Sequence, residues 1–195
     1  MALSNPRSLI DRFRRLKTLV IGDLMLDHYI WGTVSRISPE APVPVVQMSR
    51  ETEMPGGAGN VAVNMAALGA DVHVVGLLGE DAAADRLVSL FQRGPIHTES
   101  TVRTPERPTI VKTRIIAQHQ QVVRLDREVG GEFSNHLHDQ MWVHVERLLP
   151  VDSILRTTCS MSQGAMNCPF LTLTTRPVSP QARSKSVCRD KKAGT

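Results

Sequence analysis

The sequence predicts an α/β fold with a doubly wound, mainly parallel sheet. A short apolar run at 17–21 ends at a Gly-Asp pair, as a buried strand does, and a second such strand follows at 71–76. One helix is predicted between them at 58–68, and another begins after Asp81. Strands that alternate with helices in this way run parallel and are joined by crossover helices on the faces of one sheet.

The first predicted element is an amphipathic helix over residues 5–15, with apolar side chains on one stripe and arginines opposite. Residues 41–46 contain two prolines, each of which removes a backbone donor, so this stretch suits an edge strand or a flap. Gly69 follows the helix at 58–68 as a C-cap glycine, and Asp81 is predicted to cap the next helix. The apolar face of that next helix carries Leu87, Leu90 and Phe91.

Two β-rich stretches follow at 109–117 and 121–126, and the polar residues between them predict a hairpin. Apolar residues spaced by three and four then predict a helix over 135–149. Beyond that helix the periodicity fails, and only 169–174 has the character of a strand. We therefore expect residues 151–195 to be a mostly disordered tail.

Length and composition indicate a single globular domain without a membrane span. The 195 residues can bury one sizeable core, and no apolar run reaches the length of about 18 residues that a transmembrane helix needs. The amino terminus has no apolar core of the kind found in signal peptides. We therefore expect a cytoplasmic protein with no membrane partner.

The net charge of +4 comes entirely from the tail. Residues 1–150 hold 16 Lys+Arg and 17 Asp+Glu, whereas residues 151–195 hold 7 and 2. Because aromatic residues do not interleave with the basic ones, nucleic acid is not an expected partner. The three cysteines also lie in the tail, and their spacings of nine and twenty residues match no zinc pattern.

Residues 55–62, Pro-Gly-Gly-Ala-Gly-Asn-Val-Ala, are the strongest indication of a binding site. They predict a glycine-rich turn that runs directly into a helix, where a backbone without Cβ atoms can approach a ligand. The helix start presents N–H groups and a partial positive charge, and Asn60 adds a side-chain amide on the first turn. Asp23 and Asp27 flank the end of the first strand, where ligands of open α/β sheets bind. A tight structural turn and capping aspartates are the alternative interpretations.

Six motifs occur in order within the first 150 residues. They are VIGDLMLD at 20–27, SRISPEAPVPVV at 35–46, PGGAGNVA at 55–62, GLLGED at 76–81, RPT at 107–109 and QQVVRLD at 120–126. Together they resemble the amino-terminal half of ribokinase-like (PfkB-type) carbohydrate kinases, over roughly residues 8–150. The motif at 35–46 narrows the resemblance to the D-glycero-D-manno-heptose 7-phosphate kinase domain of the bifunctional heptose kinase/adenylyltransferase.

The resemblance implies a Rossmann-like, ribokinase-type doubly wound sheet with a small β-sheet lid, truncated before the carboxyl-terminal half of the family. Residues 1–150 would form the partial carbohydrate-kinase domain, with lid strands at about 30–48 and 109–126. The tail at 151–195 lies outside the family pattern. A frameshifted reading frame is our hypothesis for its different charge, cysteine content and periodicity.

The resemblance also assigns substrate-binding roles. In such kinases, contacts to sugar hydroxyls come from the residues that match Asp27, Gly56, Gly57 and Asn60. Arg114 and Arg124 are candidates for binding a substrate phosphate, because a guanidinium group binds phosphate in a fork. Solvated or ion-paired lid arginines are the alternative for these two residues.

The family's catalytic motifs have no match in the sequence. Phosphoryl transfer needs a base, an electropositive pocket and Mg²⁺, which the family supplies from a late Gly-Ala-Gly-Asp motif and an Asn-x-x-Glu motif. Residues 57–60 copy the first three letters of the former but end in an amide, which cannot act as a base. The resemblance implies ATP and Mg²⁺ as cofactors, yet we assign no catalytic, cofactor-binding or metal-binding residue in this chain.

The implied activity is ATP-dependent phosphorylation of the heptose 7-phosphate at its anomeric hydroxyl, in the synthesis of ADP-heptose for the lipopolysaccharide core, with this chain holding the sugar-binding half. The alternative is a catalytically inactive remnant that binds sugar phosphate or pairs with an intact subunit, for instance as a homodimer through the lid strands. A dinucleotide-binding module is disfavoured, because the glycine segment follows a proline-rich flap and not the first strand.

Overall fold

The computed structural model describes residues 11, 13–14, 16–131, 133–149, 151–157 and 172–174, within which there are three helices and eleven strands. No helix in this part of the chain is long and apolar enough to span a membrane. The elements are β1 (Lys17–Gly22), β2 (Leu24–Ile37), β3 (Pro44–Gly57), α1 (Ala58–Ala67), β4 (Asp71–Val75), β5 (Leu77–Gly79), α2 (Ala82–Phe91), β6 (Ile96–His97), β7 (Val102–Thr104), β8 (Ile110–Ala117), β9 (Gln120–Arg127), α3 (Asn135–Leu148), β10 (Ser153–Thr157) and β11 (Thr172–Thr174).

The main sheet has the strand order β11-β10-β1-β4-β6, and all of its neighbouring pairs are parallel except β10 with β11. Side chains alternate between its two faces, as the strand period of two requires. Val20 of β1 packs in the core beneath α1 and α2, whereas Leu19 packs with Val145 of α3 in a second core. Helices therefore cover both faces, and the predicted doubly wound sheet is confirmed.

A second sheet, which we call the lid sheet, has the order β3-β2-β8-β9. β3 begins at Pro44 and is an edge strand, so the prolines lie where a missing backbone donor is tolerated. The predicted hairpin is β8–β9, and its two turn residues, Gln118 and His119, have φ values of +50° and +68°. Two consecutive positive φ values give the turn a twist that suits a two-residue hairpin. β2 joins the two halves of the lid sheet by pairing in parallel with β8.

The predictions for the two ends of the chain fall mostly outside the described residues. Of the helix predicted for 5–15, the structure describes only residues 11 and 13–14, and most of the tail is also outside the described residues. Of the predicted strand at 169–174, the structure describes the last three residues, which form β11. The domain boundary at 150 stays a prediction, and β10, just beyond it, pairs with β1 in the main sheet.

Asp81 caps α2, as the sequence predicts, and it also binds the two ends of the lid hairpin. Its Oδ1 accepts the N–H of Ala84 at 3.0 Å, which is the N-cap hydrogen bond. Its Oδ2 accepts the N–H of Thr109 at 3.0 Å and a guanidinium N–H of Arg127 at 2.8 Å. One carboxylate therefore joins the start of α2 to the lid hairpin.

The bonds to Asp81 predict a pH-dependent contribution to stability. Burial alone raises the pKa of Asp81, but the hydrogen bonds from Ala84 and Thr109 and the charge of Arg127 outweigh it, and the pKa is lowered. A carboxyl whose pKa is lower in the folded state stabilises the fold above its unfolded pKa of about 3.9, and this contribution is lost as the pH falls through the folded value. We expect Asp81→Asn to lower the free energy of unfolding by about 1 kcal/mol at pH 7, because asparagine still caps α2 but loses the charge-assisted hydrogen bond from Arg127.

Urea unfolding measured from pH 7 downwards checks this expectation. The difference in the free energy of unfolding between the wild type and Asp81→Asn should shrink as the pH falls through the lowered pKa of folded Asp81, because both side chains are then neutral. Asp139→Asn is the matched control, since the Asp139 side chain is 81% exposed on α3. A difference that stays constant with pH would show that the charge of Asp81 contributes nothing.

Candidate functional site

The glycine-rich segment predicted as a turn is the last part of strand β3, and α1 starts at the next residue, Ala58. Gly57 has a φ of +55°, which lets the chain pass from strand to helix without a loop. A Cβ atom on Gly57 would lie 2.6 Å from the carbonyl oxygen of Asp23, so a larger residue does not fit. The same oxygen accepts the N–H of Ala58 at 3.0 Å. The segment is therefore fixed against the carboxyl end of β1.

Gly56 and Asp27, two of the predicted site residues, lie against each other in the structure. Gly56 pairs with Met25 across β2 and β3, and a Cβ atom on Gly56 would be 2.5 Å from Oδ2 of Asp27. The Asp27 carboxylate therefore occupies the space that any other side chain at position 56 would need. This close approach explains why glycine is found here, one residue before the end of β3.

Arg114 binds the other oxygen of the Asp27 carboxylate. Its guanidinium donates to Oδ1 of Asp27 in an ion pair whose two side chains are only 21% and 17% exposed. The guanidinium also lies over the ring of Tyr29, with Cζ 5.3 Å from the ring centroid. Burial lowers the pKa of Arg114, but the hydrogen bond and charge of Asp27 outweigh it, and the pKa is raised. Arg114 is therefore charged at neutral pH.

Arg124 belongs to a second group of charges on the hairpin. Its Nε is 3.0 Å from Oδ1 of Asp126, while Nζ of Lys112 is 3.3 Å from both Asp126 and Glu128. The Lys112 side chain is 7% exposed, whereas that of Arg124 is 46% exposed. Both arginines assigned to a substrate phosphate are thus ion-paired, and Arg124 is the more accessible of the two.

Strand register brings the Asp27–Arg114 ion pair and the charged group around Arg124 to one face of the lid sheet. Asp27 is paired with Lys112 and Tyr29 with Arg114 across β2 and β8, and Arg114 is paired with Arg124 across β8 and β9. Paired residues point to the same face, as do alternate residues along a strand. Aromatic rings beside a few fixed polar groups are typical of small-molecule sites.

Asn60 is the third residue of α1, as predicted, and its side chain is exposed. Its Oδ1 accepts a hydrogen bond from Nδ2 of Asn64 at 3.2 Å, one turn further along the helix. The structure therefore brings Asp27, Gly56 and Arg114 into direct contact. It places Asn60 on the helix that continues from them, and Arg124 on the neighbouring strand.

Sequence reasoning did not single out Lys112 or Tyr29 as part of this face. A usable signal was available for both, because Lys112 precedes Arg114 by two residues and Tyr29 follows Asp27 by two. Residues two apart in a strand share a face. Strand alternation within the predicted lid would have found them.

One group of metal-binding side chains in the described part of the chain lies close enough together to share an ion. It consists of Asp71, His73 and His97, on β4 and β6. Mg²⁺ is held by oxygen ligands, and two of these three donors are imidazoles. We therefore do not assign the family's magnesium ion to this group.

Comparison with known proteins gives matches along most of the chain. The model of the family described as pfkB family carbohydrate kinase matches residues 15–166. The bifunctional protein HldE of Gluconobacter oxydans is 49% identical over 148 residues, which cover 75% of this chain and 31% of that protein. The bifunctional protein HldE of Magnetococcus marinus is 47% identical over 138 residues, covering 69% and 28%. The chain thus spans less than a third of the length of these relatives.

Solved structures share the fold. A carbohydrate kinase from Agrobacterium tumefaciens superimposes with a TM-score of 0.55 at 20% identity, over 72% of this chain and 45% of that one. The ribokinase of Giardia lamblia gives a TM-score of 0.52 at 15% identity, over 72% and 44%. At these identities the likeness concerns the fold alone. The ribokinase-like α/β fold with a lid sheet, predicted from the motifs, is confirmed.

Proposed function

Because the chain belongs to the pfkB family of carbohydrate kinases, we propose that its lid face and glycine segment form the sugar-binding part of an ATP-dependent heptose 7-phosphate kinase. The substrate is D-glycero-D-manno-heptose 7-phosphate, phosphorylated at its anomeric hydroxyl on the way to ADP-heptose and the lipopolysaccharide core. The motif at 35–46 supports this choice of sugar. Kinases of this family use ATP and a divalent metal ion, and we assign neither of them to a residue of this chain.

The observation that carries the proposal is the Asp27 carboxylate, held between the backbone of Gly56 and the guanidinium of Arg114. A carboxylate fixed in this way accepts hydrogen bonds from hydroxyl groups without first having to be ordered. Gly56 and Gly57 have no side chains, so a sugar ring can lie close to their backbone. Asn60 adds a donor and an acceptor at the start of α1.

We assign the 7-phosphate to Arg124, with Arg114 as the residue that orients Asp27. Arg114 is nearly buried and already bound to Asp27, whereas the Arg124 guanidinium is accessible and lies on the strand beside it. A phosphate at Arg124 would compete with Asp126 and gain a charge-assisted hydrogen bond. Arg114 would therefore orient the carboxylate that binds the sugar, and Arg124 would select a phosphorylated sugar.

Calorimetric titration with heptose 7-phosphate and with unphosphorylated heptose tests this division of roles. Arg124→Gln should weaken binding of the phosphorylated sugar by roughly tenfold to a hundredfold, because one charge-assisted hydrogen bond is lost. Binding of the unphosphorylated sugar should stay the same. Arg103→Gln is the matched control, because Arg103 is 41% exposed and ion-paired with Asp85 outside the lid sheet. Equal losses for both sugars in Arg124→Gln would contradict the assignment.

The alternative is a chain that binds sugar phosphate without turning it over. It is supported by the charged residues of the lid sheet, whose strand register gathers them on one face around Asp27, where they suit binding of a sugar phosphate. Measuring ADP release with heptose 7-phosphate separates the two proposals, since turnover supports the kinase and binding without turnover supports the alternative. A melting shift with NAD, and none with sugar phosphate or ATP, would overturn both.

We also propose that two copies pair through the lid sheet. β9 is an edge strand of that sheet, and all of its residues are exposed. An unpaired edge offers a row of backbone donors and acceptors to another strand. The exposed apolar side chains Val122, Val123 and Leu125 on this strand favour such a contact.

A further inference from the structure

Three side chains with metal-binding groups meet at the edge of the main sheet opposite the glycine segment. His73 on β4 is paired with His97 on β6, and Asp71 lies two residues before His73 on the same face. Nε2 of His97 is 2.9 Å from Oδ1 of Asp71, and Nε2 of His73 is 3.8 Å from Oδ2. Both ring nitrogens therefore face one carboxylate. Asp71 is the first residue of β4, roughly 13 Å from the carboxyl end of that strand by the rise per residue, and His73 is its central residue.

We propose that Asp71, His73 and His97 bind one divalent transition-metal ion of the zinc class. Two imidazole nitrogens and one carboxylate oxygen form a donor set that suits Zn²⁺ and does not suit the hard ions Mg²⁺ and Ca²⁺. Three protein ligands leave the fourth tetrahedral position to water. The site is separate from the sugar-binding face and does not depend on the function proposed for that face.

The distances between the donor atoms fit a tetrahedral ion after small side-chain rotations. Ligands bound to Zn²⁺ at about 2.0–2.1 Å lie about 3.4 Å from each other. The two distances to Asp71, 2.9 Å and 3.8 Å, bracket this value, and all three donor atoms lie within 4.8 Å of one another. The side chains of Asp71 and His97 are 52% and 45% exposed, so they have room to rotate.

The surroundings of the group hold its imidazole rings in place. The rings of His73 and His97 stack with centroids 4.4 Å apart. Nδ1 of His97 is 3.9 Å from Oε2 of Glu99, an exposed side chain that a small rotation would bring within hydrogen-bond distance, where it would orient a metal-bound imidazole. Lys17, paired with Asp71 from β1, is the charge that opposes a cation.

A bound ion would stabilise the pairing of the edge strand β6 with β4 in the main sheet. β6 consists of two residues, and its ladder with β4 pairs Ile96 and His97 only. An ion shared between β4 and β6 would add a link across strands whose ligands are 24 residues apart in sequence. The loop between them contains α2, the helix that packs beneath the glycine segment.

Calorimetric titration of the tag-free chain with Zn²⁺ tests the site. We expect one ion per chain and a higher melting temperature with Zn²⁺ present. His97→Gln and Asp71→Asn should each weaken zinc binding by at least about tenfold, and Glu99→Gln by roughly tenfold, since loss of even an outer-shell partner costs that much. His138→Gln is the matched control, because His138 is 60% exposed and 3.9 Å from Asp139 on α3. It should bind zinc as the wild type does.

Two results would overturn the proposal. One is zinc binding of equal strength in the wild type, His97→Gln and Asp71→Asn. The other is a thiolate charge-transfer band in the spectrum of the Co²⁺-loaded wild type, which would place the ion on the cysteines of the tail. Far-ultraviolet circular dichroism of each variant without metal shows that a loss of binding is not a loss of fold.

Discussion

Replacing Gly56 with alanine is expected to weaken sugar-phosphate binding by at least about a hundredfold while the chain stays folded. The new Cβ atom would lie 2.5 Å from Oδ2 and 2.8 Å from Cγ of Asp27, so the carboxylate must rotate away from Arg114. Hydrogen bonds from the sugar to a displaced carboxylate are lost, and each charged hydrogen bond contributes about 1.5–3 kcal/mol. Calorimetric titration with heptose 7-phosphate measures the loss.

The fold should tolerate this change, because Gly56 is not among the residues with positive φ and the atoms nearest to the new Cβ atom belong to two side chains, the Asp27 carboxylate and Cγ of Met25 at 2.8 Å, and not to the backbone. We expect the free energy of unfolding to fall by about 1–2 kcal/mol. Gly94→Ala is the matched control, because a Cβ atom there has no neighbour within 4 Å. It should keep the wild-type affinity. Unchanged affinity in Gly56→Ala would show that Asp27 does not bind the sugar.

Replacing Phe91 with alanine is expected to have the largest effect on stability. Phe91 is the last residue of α2 and is fully buried, and its Cζ lies 2.9 Å from the position of a Cβ atom on Gly59 in α1. Its ring therefore fills the space that Gly59 leaves between the two helices. Phe→Ala substitutions in cores cost about 3–5 kcal/mol, from the lost transfer free energy and the cavity left behind. This is a large part of a total stability of about 5–15 kcal/mol.

Thermal unfolding checks the effect of Phe91→Ala, and we expect a melting temperature lower by about 6–20 °C. Trp142→Ala is the control for loss of an aromatic ring, because Trp142 is 40% exposed on α3. Its free energy of unfolding should change by no more than about 1 kcal/mol. Equal losses in the two variants would mean that α1 and α2 do not form the main core.

The parts of the fold that sequence predicts well are those fixed by local chemistry. The C-cap glycine Gly69, the N-cap Asp81 and the polar turn of the lid hairpin act within a few residues of their own position. Each was found where it was expected. The glycine segment was predicted as a turn, because adjacent glycines usually mark one. In the structure it pairs with residues of β2 that lie about 30 positions earlier in the sequence, and the local sequence pattern does not indicate this pairing.

The contacts of the candidate site depend on strand register, which sequence alone does not reveal. Arg114 and Asp27 are 87 residues apart and meet because β2 and β8 pair in parallel. His73 and His97 match no metal-binding spacing along the chain, yet they are neighbours across β4 and β6. The motif resemblance identified Asp27 and Gly56 individually. It did not predict that the glycine, the carboxylate and the guanidinium would touch.

The parallel pairing of β2 with β8 also has a consequence for how the chain folds. The antiparallel pairs β2–β3 and β8–β9 bring together residues that are close in sequence, so each can form early. Joining β2 to β8 pairs Met25 with Ile110, and closing so long a loop is entropically costly and slow. The ion pair between Asp27 and Arg114 can form only when β2 and β8 have paired. We therefore expect sugar binding to appear in refolding no earlier than this pairing, and later than the two hairpins.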